Sequence, residues 1–82
     1  MTNKFLQLTV SRVDEPIFDG DVIFVTLPGS AGEMTLLANH SSLISPLKKG
    51  TITIKRSDDF IQQIEIESGT LEISRNHATV LI

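Results

Sequence analysis

The chain has 82 residues, of which 40% are apolar and 21% charged, and none is cysteine. That is the length of one domain, read here as spanning residues 1–82, and it excludes disulfides and thiolate metal sites. A net charge of −3 argues against sequence-independent nucleic-acid binding, which requires a basic footprint.

Membrane insertion is not expected, because no apolar run approaches the roughly 18 residues of a membrane span. Met1-Thr2-Asn3-Lys4 leads into a strand pattern without a signal-peptide core. The expectation is a soluble, intracellular chain that meets a membrane only through other proteins and is monomeric when isolated.

In chain order, Leu6, Leu8 and Val10 alternate with Gln7 and Thr9, the pattern of a half-buried strand. Asp19-Gly20-Asp21 reads as a tight hairpin, since glycine supplies positive φ without steric cost. Val22 to Leu27 breaks the alternation, with apolar residues pointing both ways. Such a run fits a strand covered on both faces, a bulged strand, or an outward apolar patch for a partner. Gly29 and Gly32 bracket the next turn.

Asn39-His40-Ser41-Ser42 offers a cap for a short turn before Leu43, and Pro46 ends anything helical. Ile52 and Ile54, Ile64 and Ile66, Leu71 and Ile73, and Val80 and Ile82 each mark a further alternating strand. Lys48-Lys49-Gly50, Ser57-Asp58-Asp59, Ser68-Gly69 and Arg75-Asn76-His77 separate them as turns. No helix is predicted. Many short strands at close spacing predict an all-β antiparallel sandwich or barrel.

Chemistry has little foothold. There is no Gly-x-Ser-x-Gly elbow, and His40 and His77 lack metal-ligand spacing. Gly29-Ser30-Ala31-Gly32-Glu33 lacks the Gly-Lys-Ser/Thr ending of a phosphate loop, and Glu33 would repel an anion. The paired acids Asp14-Glu15, Asp19 with Asp21, and Asp58-Asp59 all fall in turn signals, where solvation explains them. No catalytic residue, metal site or cofactor is expected. A rival reading is a small ligand-binding or hydrolytic barrel using His40 with a nearby carboxylate such as Glu33. Another is an adaptor that binds some other assembly through Val22–Leu27.

The segment Leu27 to His40, with its Gly-x-x-Gly-Glu turn, apolar strand and histidine, resembles the signature of the epsilon subunit of F-type ATP synthases. Pro16-Ile17-Phe18-Asp19-Gly20, Leu47-Lys48-Lys49-Gly50-Thr51-Ile52-Thr53-Ile54 and Ile66-Glu67-Ser68-Gly69-Thr70-Leu71-Glu72-Ile73 extend the resemblance over essentially the whole chain. It implies a flattened antiparallel β-sandwich of about ten short strands, a two-layer architecture.

The resemblance also implies a non-catalytic rotor piece at the cytoplasmic face of a bacterial membrane. Such a piece couples the proton-driven c-subunit ring to the gamma subunit and the catalytic head. Glu33 and His40 match the family's positions at the c-ring loops, and Ile23 and Phe24 are the candidates for the gamma subunit. Thr35, Ala38-Asn39 and Ser41-Ser42 depart from the family's usual Gly, Pro-Gly and Ala-Pro, so a different loop shape is expected. In most relatives a helical hairpin follows the sandwich. This sequence stops at Ile82, so inhibition and nucleotide sensing are not expected of it.

Overall fold

Alternation in the sequence becomes alternation in burial. In the computed structural model, which describes residues 3–13 and 15–82, Leu6, Leu8 and Val10 are buried, Gln7 is exposed and Thr9 is half-buried. The same two-residue rhythm places Ile52, Ile54, Leu71, Ile73, Ala78 and Val80 inside. Together with Val22, Val25, Leu27, Leu36, Leu47 and Ile66 they form one apolar cluster. Each fully buried aliphatic side chain contributes about 1.5–3 kcal/mol. Among the described residues no polar or charged side chain is buried.

The described residues form eight strands rather than about ten, and no helix: β1 (Leu6–Arg12), β2 (Glu15–Gly29), β3 (Gly32–Leu37), β4 (Leu43–Leu47), β5 (Gly50–Arg56), β6 (Ile61–Ile66), β7 (Gly69–Ser74) and β8 (His77–Leu81). The expected hairpin at Asp19-Gly20-Asp21 is absent. Those residues lie inside the 15-residue β2 and pair with Thr9, Leu8 and Gln7 of β1. The chain reverses instead between Arg12 and Glu15. Glycine there signals a turn only locally; pairing along the whole of β1 overrides it. The Asp14 half of the expected turn pair lies outside the described residues.

β2 builds the sandwich because it belongs to both layers. Its first half pairs with β1, and its second half lies between β3 and β5. The switch falls at an irregularity between Val22 and Phe24, where the register against β5 slips by one residue at Ile23. A bulge of this kind bends a strand and lets it leave one sheet for the other. It also explains the broken alternation of Val22–Leu27: Val22 and Val25 both face the core, with Ile23 and Phe24 half-buried between them.

One layer runs β3-β2-β5-β6. The other runs from β2 through β1, β8 and β7 to β4. Pairing is antiparallel except for β1 with β8, which is parallel. This corrects the all-antiparallel expectation. The first and last strands lie side by side, and a neighbour relation so distant in sequence leaves no local turn signal.

Candidate docking surfaces

The two residues singled out in the sequence flank β3: Glu33 lies at its start and His40 in the turn past its end. Gly29 and Gly32 are paired partners joined by Ser30-Ala31, and Glu33 follows at once, opposite Pro28. Gly32 has φ 141, a conformation that side-chain-bearing residues rarely adopt. A Cβ on Gly29 would lie 2.6 Å from the Gly32 carbonyl oxygen and would also strike the Met34 side chain. The tip is therefore shaped by glycine on both sides. It is braced by Ser30 N–H donating to the Pro46 carbonyl (3.1 Å) and Lys48 N–H donating to the Pro28 carbonyl (2.9 Å). Glu33 is exposed, and among the described residues neither Lys48 nor Lys49 forms an ion pair with it.

His40 lies in the turn past the other end of β3. Four strand steps put Glu33 and Leu37 roughly 13 Å apart, with the His40 turn beyond Leu37. The structure therefore does not bring Glu33 and His40 together. The His40 ring is exposed, and its Nδ1–H donates to the Ser41 carbonyl at 2.8 Å. Asn39, just before it, has φ 67.

The outer faces display apolar side chains. On the first layer, Leu37, Phe24, Lys55 and Ile61 form one cross-strand row. Leu37 and Ile61 are exposed and Phe24 is half-buried. The next row, Thr35, Thr26, Thr53 and Gln63, is polar. On the opposite layer, Ile44 is 72% and Leu81 56% exposed. Sequence reasoning marked Ile23 and Phe24 but missed Leu37, Ile44, Ile61 and Leu81. Nothing in a single alternating strand says which apolar residue its layer leaves uncovered.

Among the described residues His40 is not brought to a carboxylate or a hydroxyl that the hydrolytic reading could use. The other histidine, His77, lies at the start of β8, where Thr9 Oγ1 lies 2.9 Å from its Nε2 and 3.2 Å from Asp19 Oδ1. A carboxylate only accepts, so the Thr9 hydroxyl donates to Asp19 and accepts from His77 Nε2–H. A nucleophile is activated when imidazole lies between acid and hydroxyl; here the hydroxyl lies in the middle. His77 also borders an open polar depression with Asn3, Lys4, Gln7, Asp21 and Arg75. His40 does not line it. Among the described residues no group of His and acids is arranged to hold a metal, and no helix is long and apolar enough to cross a membrane.

Among the described residues, an apolar buried cluster lies inside a β-sandwich whose outer faces carry exposed apolar and polar side chains. Residues 5–82 match the family described as the beta-sandwich domain of the ATP synthase Delta/Epsilon chain, and the chain belongs to that family. It is 43% identical over 76 residues to the ATP synthase epsilon chain of Bordetella petrii, covering 93% of this chain and 54% of that one. Against the epsilon chain of Sulfurimonas denitrificans the figures are 36% over 77 residues, 94% and 59%. The chain thus spans little more than half the length of these relatives. In fold it matches a chain of the Euglena gracilis mitochondrial ATP synthase with a TM-score of 0.92 at 23% identity, covering 99% of this chain and 52% of that one.

Proposed function

We propose that this chain is a non-catalytic domain of the central stalk of an F-type ATP synthase. It docks on the gamma subunit and on the polar loops of the c-subunit ring, and it helps carry rotation from ring to catalytic head. The observation that carries this reading is the family match over residues 5–82, joined to relatives named ATP synthase epsilon chain. Two solved structures with this fold come from assemblies described as OSCP/F1/c-ring and central stalk/c-ring, which supports the choice of partners. On this reading the chain is held at the cytoplasmic face of a bacterial membrane by the complex alone. It uses no cofactor, and the bond-making groups belong to its neighbours.

Glu33 and His40 act as two contact points separated by the length of β3. Glu33 is an unpaired acid on a rigid tip, suited to a polar or basic loop group. His40 contributes an imidazole that donates or accepts according to its protonation state. For the gamma subunit, Ile23 and Phe24 anchor the contact, with Leu37 beside them. A second reading puts gamma on the other layer, because Ile44 and Leu81 offer more exposed apolar area than the half-buried Ile23 and Phe24.

The test is a pull-down of the chain with purified gamma subunit and with intact c-ring. Binding to both is expected, and binding to neither overturns the proposal. Phe24→Asp and Ile44→Asp, compared for gamma binding, decide between the two faces.

A further inference from the structure

The His40 turn is tied to two distant parts of the chain by three asparagines. Asn39 N–H donates to Asn76 Oδ1 at 2.8 Å. Asn39 Nδ2–H donates to the Asn3 carbonyl at 2.9 Å. Asn39 Oδ1 in turn accepts from the Asn3 backbone N–H at 3.1 Å and from its side-chain amide at 3.2 Å. Asn76 Nδ2–H donates to the Phe5 carbonyl at 2.8 Å, and the Asn76 carbonyl accepts from Gln7 N–H at 3.2 Å. The start of β1, the β3–β4 turn and the β7–β8 turn are thus closed on one another by side-chain amides.

Backbone conformation makes the arrangement possible. Asn39 (φ 67) and Asn76 (φ 61) are both left-handed, which asparagine tolerates better than other residues with a side chain. Glycine would satisfy the same backbone but would leave every one of these side-chain bonds unmade. Neither the core nor any strand pairing requires them: Asn39 is exposed and lies outside every strand. What Asn39 directly precedes is His40. Among the described residues the imidazole bonds only to its neighbour's carbonyl, so its place relative to the rest of the domain depends on how its turn is held.

We infer that Asn3, Asn39 and Asn76 form a clasp that fixes the His40 turn, making them positioning residues for the partner contact at that end of the domain. The clause about a partner rests on the function proposed above; the clasp itself does not. Because Asn3 belongs to the clasp, changes to the first few residues reach His40 without altering any strand.

The test uses Asn39→Gly, which removes the bonds to Asn3, and Asn76→Gly, which removes the bond from the Asn39 N–H; both keep the left-handed backbone. In the free chain, exchange of the Asn3 amide, which donates to Asn39 Oδ1, is expected to quicken at least about tenfold in Asn39→Gly, and that of the Asn39 amide, which donates to Asn76 Oδ1, in Asn76→Gly, with core amides changing only as far as global stability does. Exchange at these amides equal to wild type in both variants overturns the clasp, whatever the partner. Affinity for c-ring and gamma is then measured with Asn39→Gly, His40→Ala and the double variant. A positioning role predicts several-fold weaker binding for Asn39→Gly and no further loss when it is added to His40→Ala. Full additivity, or weaker binding in Asn39→Gly with no quickened exchange at the Asn3 amide, overturns the positioning role. If His40→Ala binds as wild type does, the His40 contact in the proposed function fails while the exchange result still judges the clasp.

Discussion

The two ends of β3 reach the same goal by opposite means. At the Glu33 end the backbone does the work: Gly29 and Gly32 let two strands close on a two-residue loop, and among the described residues no ion pair ties down the acid that follows. At the His40 end side chains do the work, because Asn39 holds Asn3 and Asn76 across the turn. A glycine tip is stiff because no other conformation closes it. An asparagine clasp is stiff only while its hydrogen bonds hold. The first should fail by strain and the second by release.

Gly29→Val tests the strain side and should have the largest effect. The new side chain meets the flexible end of Met34, which can move, and the Gly32 carbonyl oxygen, which cannot, so the tip must open at a cost of about 1–3 kcal/mol. Urea unfolding should show a lower midpoint with an unchanged slope. A stability equal to wild type would show that the tip relaxes freely. The contrast with the clasp would then disappear.

Asn39→Ala tests release. It loses several exposed hydrogen bonds and places a Cβ residue without local side-chain compensation in the left-handed region, on the order of 1–2 kcal/mol together. Asn39→Gly should recover the backbone part and so lie between alanine and wild type in thermal unfolding. If glycine and alanine destabilise equally, the backbone contributes nothing there and the hydrogen bonds account for the whole loss.

The same contrast marks what the sequence made legible. Gly29 and Gly32 announced their turn, since glycine in pairs between apolar runs has few other uses. Alternation likewise revealed the inward residues of β1, β5, β7 and β8. The bulge at Ile23 was one of the readings open for Val22–Leu27, and pairing with β5 selected it. Asp19-Gly20-Asp21 misled, because a turn signal is local and the pairing that overrides it spans β1. The clasp was legible only in outline. Asn39-His40 and Asn76-His77 stood as turn residues 37 positions apart in the chain, and only the parallel β1–β8 neighbours and the β4–β7 pair bring them together. The departure from Pro-Gly at Ala38-Asn39 signalled a different loop without saying what the asparagine would hold.

The site residues were legible as residue types and illegible as geometry. Glu33 and His40 read as one loop in the sequence because only six residues separate them. In a strand, six residues are enough to carry two side chains to different partners. That distance supplies the finest test of the comparison. Glu33→Lys and His40→Glu alter exposed residues outside the core, so each should shift stability by no more than about 0.5 kcal/mol. Their effects on affinity for the c-ring and gamma should add, because sites more than about 7–10 Å apart with no shared partner act independently. Measured affinities of the two single variants and the double variant decide it. A double variant no worse than the weaker single would mean that one partner group bridges both ends of β3, and the two ends would then have to be treated as a single contact.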